Sequence, residues 1–192
     1  MKNTFEMGPE AWCSYEYHAS VVSGRNIFIL ATWSPTGGVN DSGHIWTDES
    51  CWSADTPEVP LSILPFIYYR NWVNEGPVDL RDAKVSVYLR GDALELDGAA
   101  SYFWVHSPST RWHYTAHPVE ISQSKWGERP TELTLETDES RWHRSWSMDP
   151  KQPLCLEETL RNAASYGFSF TGFSSEVRGK LSMDEFKITT CR

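Results

Sequence analysis

Basic charge is scarce in this chain. Lys and Arg number 17 against 26 Asp and Glu, a net charge of −9. Nucleic-acid binders gather cations that neutralise phosphates. The one local basic cluster here is the RWHR of residues 141–144, so nucleic acid is not an expected partner. Long apolar runs are also missing. No stretch approaches the roughly 20 residues of a membrane-spanning helix, so no membrane partner is expected either. The opening MKNTFEMGPEAW has no apolar leader segment. As written the chain reads as cytoplasmic, or as secreted if excised from a larger precursor. Cysteine is sparse and scattered, at Cys13, Cys51, Cys155 and Cys191. No two have CxxC spacing, which argues against a zinc ribbon or a dithiol redox motif. Free thiols are the default in a reducing compartment, and two disulfides of unspecified pairing are the alternative elsewhere. HExxH, GxSxG, the P-loop and the glycine-rich dinucleotide turn are absent. There is no fixed-period repeat, low-complexity tract or linker-like shift in composition, so residues 1–192 read as one domain.

Aromatic residues are abundant, at 14% with ten Trp. A large amphipathic ring is hard to bury completely, so some of the ten are expected to face a cleft. Period-two patterns recur along the chain. In 83–91, AKVSVYLRG, Val85, Val87 and Leu89 alternate with Ser86, Tyr88 and Arg90. In 101–107, SYFWVHS, Phe103 and Val105 alternate with Tyr102, Trp104 and His106. Similar short segments occupy 20–33, 61–72, 131–138, 166–173 and 180–189. Alternation bounded by Gly, Pro, Asn and Asp is the mark of half-buried antiparallel strands. One helical stretch is expected over 155–167, with Leu156 and Leu160 on one face and Gly167 at its end. Many short strands and one short helix near the C-terminus predict an all-β, two-sheet sandwich.

Several stretches carry a resemblance. TFEMGPEAW (4–12), VVSGRNIFILATW (21–33) and GKLSMDEFKI (179–188) come in that order. VDLRDAKVSVYLRGDALELDGAASYFWV (78–105) lies between them. Together they resemble the calcium-binding jelly-roll carbohydrate-binding modules of galactose-binding-like fold, over roughly residues 4–188. The resemblance implies an antiparallel jelly-roll β-sandwich and non-catalytic binding of an oligosaccharide or a glycosylated small molecule. It also implies one structural calcium, held by Glu6 and Asp184 with backbone carbonyls near Ser23 to Asn26. Calcium takes six to eight hard oxygens, which carboxylates and carbonyls supply.

The stretch YFWVHSPSTRWHYTAH (102–117) is the densest in aromatic and imidazole groups. Alternation sets Tyr102, Trp104 and His106 on one face, to be joined there by Ser86, Tyr88 and Arg90 of the preceding strand. A groove holding Tyr88, Arg90, Trp104 and His106 suits a sugar, with Trp46 and Trp112 flanking. Rings pack on the apolar C–H face of a pyranose, while Arg and His serve its hydroxyls. The strand after it has two faces, one with Arg111 and His113 and the other with Trp112 and Tyr114, and either can meet the cleft. His113 and His117 are four apart, a spacing that brings two metal ligands together on a helix but separates them on a strand. The long segment 40–58 carries Trp46, Trp52 and several carboxylates, without a pairing that marks a glycosidase. The competing reading is a small stand-alone lyase, cyclase or hydrolase on the same fold. It would use His106 or His113 as acid or base beside Arg90 and a loop carboxylate. A third reading is a protein-interaction sandwich with an exposed Trp patch.

Overall fold

A computed structural model describes residues 1–15, 23–25, 27–52, 62–173 and 176–190. In chain order the strands are β1 (Lys2–Asn3), β2 (Trp12–Tyr15), β3 (Phe28–Leu30), β4 (Thr32–Ser34), β5 (His44–Asp48), β6 (Ser62–Tyr69) and β7 (Lys84–Glu95). They continue as β8 (Ala100–His106), β9 (Thr110–Tyr114), β10 (Ser122–Gln123), β11 (Thr131–Thr134), β12 (Trp142–Ser147), β13 (Ser165–Thr171) and β14 (Arg178–Thr189). The helix α1 (Leu156–Arg161) lies between β12 and β13. Among the described residues these strands form two seven-stranded sheets. The first runs β10-β7-β14-β5-β4, with β1 on β14 and β11 on β7. The second runs β12-β9-β8-β13-β6-β2-β3. Pairing is antiparallel except for the short β10 on β7. The expected all-β sandwich, antiparallel and with one short helix near the C-terminus, is the observed architecture.

Alternation decides which side chains enter the core. Val85, Val87 and Leu89 of β7 point inward, as do Phe103 and Val105 of β8. Phe66 and Tyr68 of β6 and Tyr166, Phe168 and Phe170 of β13 meet them. Trp12 is fully buried and touches Phe66, Tyr68, Tyr166, Phe168 and Phe186. Each such side chain taken wholly out of water contributes roughly 1.5–3 kcal/mol, and this central cluster draws on both sheets.

Two expectations from the sequence change. The helix is shorter than 155–167: it ends at Arg161, and Gly167 lies in the middle of β13. Leu156 and Leu160 do face the core, as their i, i+4 spacing requires. After Asn162 the backbone finds sheet partners instead. Val78 and Ala163 exchange hydrogen bonds, Ala164 donates to His106, and Arg70 donates to Ala164. Tertiary hydrogen bonds outweigh the helix propensity of Ala163 and Ala164 there. The second change concerns β7 and β8. They follow one another in sequence but belong to opposite sheets. The outward faces of the two strands therefore look away from each other across the sandwich.

Candidate functional site

The outer face of the second sheet is built row by row from its strand register. Trp146 of β12 lies opposite Arg111 of β9, Arg111 opposite His106 of β8, His106 opposite Ser165 of β13, and Ser165 opposite Tyr69 of β6. The neighbouring row is His143, His113, Trp104, Gly167, Ile67, Cys13 and Leu30. Gly167 leaves a gap between Trp104 and Ile67. The Trp104 indole reaches across the sheet there, and its Nε1 donates to the Phe168 carbonyl at 3.1 Å. Trp104 is only 2% exposed and packs with Cys13, Leu64 and Ile67.

Above this apolar floor lies a cleft of about 410 Å³. One wall carries Tyr15, Phe28 and Tyr69, whose rings meet in a chain with centroids 5.2 Å apart at each step. Trp72, at the end of that wall, stacks on Tyr69 at 4.9 Å and meets the edge of Phe28 at 5.0 Å. The other wall carries His106, Arg111 and Trp146. Trp146 is 38% exposed and its ring lies 5.7 Å from the His106 imidazole. Arg111 is anchored by donation from its Nε to Ser145 Oγ at 3.1 Å.

The electrostatics of the cleft follow from its burial. His106 Nδ1 and Ser165 Oγ share a hydrogen bond of 3.0 Å, which leaves Nε2 as the ring nitrogen for a ligand. Burial first, and the nearby Arg111 cation second, lower the His106 pKa to about 4. The imidazole is neutral at physiological pH, with one nitrogen donating and the other accepting. Burial also raises Tyr69 to about 12, so its phenol stays protonated. Deeper in the same face, His113 is fully buried beside Trp104 and is held neutral by desolvation, with Arg111 and His143 adding to the shift.

The residues expected to form one groove are thus divided. Trp104 and His106 belong to this cleft, Trp104 as its floor and His106 in its wall. Tyr88, Arg90 and Trp46 are on the outer face of the first sheet. There the Arg90 guanidinium lies 4.5 Å over Trp126, donates to Gly37 O at 3.1 Å and pairs with Asp92 at 3.2 Å. Lys180 shares Asp92 at 3.4 Å and sits 5.2 Å over the Trp46 ring. Tyr88 borders a separate polar hollow with Glu120, Ser122 and Arg129. Trp112 turns inward to the core, where its Nε1 donates to Leu154 O, so the Arg111 and His113 side of β9 faces out. In segment 40–58, Trp52 packs against Phe170 and donates to Thr47, residues 53–58 lying outside the description. Tyr15, Phe28, Tyr69, Arg111 and Trp146 are cleft residues that strand-by-strand reading did not assemble, and Trp72 packs on two of them, Phe28 and Tyr69. The signal for Tyr69 and its neighbour Trp72 lies in the YYRNW of residues 68–72, which begins in β6 and runs past its end.

The residues nominated for calcium do not assemble a hard-oxygen cage. Both oxygens of the buried Asp184 accept from protein donors: Glu185 N–H at 2.6 Å on Oδ1, and Val39 N–H at 2.8 Å and Ser42 Oγ at 2.7 Å on Oδ2. Calcium needs lone pairs, and these neighbours present hydrogens. Glu6 is exposed in the turn after Phe5. The acid that organises the N-terminal segment is Glu10, whose carboxylate accepts from Phe5 N at 2.7 Å, Thr4 N at 3.3 Å and Asn3 Nδ2 at 2.5 Å. Ser23 Oγ donates to Arg25 O and accepts from Arg25 N, and Asn26 lies outside the described residues. Among the described residues no group of three or more His, Cys, Asp and Glu side chains could hold a metal ion.

No family model and no curated protein matches the sequence. Among solved structures, the chain is similar to a family 11 carbohydrate-binding module from Clostridium thermocellum in complex with a β-1,3-1,4-mixed-linked tetrasaccharide. The TM-score is 0.48 at 13% identity, covering 82% of this chain and 80% of that one. It is also similar to a cleaved adhesin domain of Lys-gingipain from Porphyromonas gingivalis, with TM-score 0.45 at 14% identity over 100% and 98% of the two chains. A carbohydrate-binding module specific for non-crystalline cellulose gives TM-score 0.43 at 9% identity over 97% and 92%.

Proposed function

We propose that this chain is a non-catalytic carbohydrate-binding domain whose ligand, an oligosaccharide, lies in the cleft on the outer face of the second sheet. The observation that carries the reading is the arrangement of rings around one neutral imidazole. Phe28, Tyr69 and Trp146 stand about the cleft, and His106 offers Nε2 between them. Ring faces suit the apolar side of a pyranose, and a few placed polar groups serve its hydroxyls. The chemistry of His106 favours binding over catalysis. A general base works best with a pKa near the operating pH, and burial takes His106 down to about 4.

The test uses the exposed ring, not the buried one. Isothermal titration against β-linked gluco-, xylo- and manno-oligosaccharides is expected to show saturable binding of one class. Trp146→Ala should weaken it by about tenfold, some 1.4 kcal/mol, while the melting temperature stays near that of the parent. Binding that is indifferent to Trp146→Ala and Tyr69→Ala together would place the ligand elsewhere. Turnover of any of these sugars would favour the enzyme.

A further inference from the structure

The chain holds four methionines, and their sulfurs stand in different surroundings. Met183 is fully buried in the core. The Met1 sulfur accepts hydrogen bonds from Arg70 Nη1 and from the Tyr166 hydroxyl. Met7, 93% exposed, lies in the N-terminal turn and is not part of the cleft lining. Met148 is 69% exposed and lines the cleft. We propose that Met148 is a reversible oxidation site whose sulfoxide lowers the affinity of the cleft for its oligosaccharide. The effect on affinity rests on the carbohydrate reading of the cleft; the oxidation itself does not.

Three observations carry the step. The first is access. Oxygen transfer needs a thioether that solvent reaches and whose lone pairs are not already engaged. Met148 and Met7 meet both conditions, Met183 lacks the access and the Met1 sulfur is engaged. The second is placement. Met148 follows Trp146 by two residues, so both side chains leave the end of β12 on the same side. Its backbone N–H donates to Ser109 O at 2.8 Å, which ties it to the 107–109 segment, where Pro108 also lines the cleft. A ligand stacked on Trp146 therefore meets the Met148 side chain at the rim. The third is chemistry. A thioether is soft, apolar and flexible, and it suits the C–H face of a sugar. A sulfoxide is polar and chiral, and its oxygen loses water when the ligand covers it. The oxidant is a hydroperoxide. The sulfur lone pair attacks the terminal peroxide oxygen, and the S–O bond forms as the O–O bond breaks. The departing oxygen takes up the proton and leaves as water or alcohol. Sulfur gives up two electrons and the peroxide gains them. Methionine sulfoxide reductases restore the thioether.

The test treats the whole chain with hydrogen peroxide, then with dithiothreitol to return Cys51 and Cys155 to thiols. Peptide mass spectrometry is expected to find one added oxygen on Met148 and on Met7 well before Met183. Isothermal titration with the oligosaccharide class bound by the untreated parent should then show affinity about fivefold weaker. Treatment with the two sulfoxide reductases, one for each epimer, should recover it. Met7→Leu should keep the loss in full. In Met148→Leu, peroxide should leave the affinity at that variant's own starting value. A Met148 that oxidises no faster than Met183 overturns the proposal. So does an oxidised parent that binds as tightly as before, or a loss that persists in Met148→Leu; these outcomes leave the carbohydrate reading intact. An untreated parent that binds no oligosaccharide overturns that reading and the switch together.

Discussion

Trp104 shows how a residue can shape a ligand site while hardly meeting the ligand. It is 2% exposed and lies over Gly167, bonded to Phe168 O. Trp104→Ala would open a cavity beneath the cleft, and such truncations cost about 3–5 kcal/mol. Urea unfolding should register that loss, and any fall in sugar affinity would then follow from a collapsed floor. His106 makes a different prediction, in pH. The unfolded chain titrates this group near 6.5, whereas the folded protein holds it at about 4. Between those values the unfolded state binds a proton that the folded state refuses, so stability falls as pH drops from about 6.5 to about 4 and levels off below. The shift corresponds to something on the order of 3 kcal/mol across the window. His106→Gln should flatten the melting temperature over that range relative to the parent. Some slope should remain, because His113 is held neutral in the same way. Above pH 6.5 sugar binding should be flat. Alternation alone placed Trp104 and His106 on one face correctly. What it lacked was the cover: Leu64, Ile67 and Cys13 come from strands far away in sequence, and only their arrival decides that Trp104 is floor and Trp146 is wall.

At the scale of elements, most strands were legible because each has one wet and one dry side. The burial of β7 alternates residue by residue from Val85 to Gly91, as its sequence does. Which sheet a strand joins was not legible. The turn between Glu95 and Ala100 carries the chain from one sheet to the other, so Arg90 and Trp104 part company although both alternations were read correctly. Gly167 failed for a related reason. In sequence it reads as a helix end, because a glycine after an apolar i, i+4 pair is a common stop. In the structure it lies in β13 opposite Ile67 of β6, against the β6 backbone. A Cβ there would sit 1.9 Å from Phe66 O, next to the bulge that shifts the β6–β13 register. Backbone cannot yield as a flexible side chain does. Overpacking commonly costs about 1–3 kcal/mol, and Gly167→Ala is expected at or above the top of that range. Gly76→Ala, where an added Cβ meets nothing within 4 Å, is the matched control and should leave thermal unfolding nearly unchanged.

At the scale of the whole molecule, the question is what ties the two ends of the chain into the sandwich. The resemblance in sequence offered a metal ion; the structure offers hydrogen bonds. Asp184, on β14, is buried and holds the 38–42 segment through Val39 N–H and Ser42 Oγ. Burial raises its pKa, and those donors work against the rise. Glu10 gathers the first residues in the same manner, and β1 pairs with β14. Among the described residues, donors of the chain itself occupy both oxygens of Asp184. Thermal unfolding in EDTA and in added calcium should therefore give the same melting temperature, apart from a small shift at high calcium as surface carboxylates of a chain at net charge −9 are screened. Asp184→Ala should be destabilising in either medium, because it strands buried donors at about 1–3 kcal/mol each. A melting temperature that falls in EDTA and recovers with calcium, with the calcium response lost in Asp184→Ala, would show instead that the carboxylate exchanges its donors for the ion, and the bridging metal would then be part of what holds the chain ends.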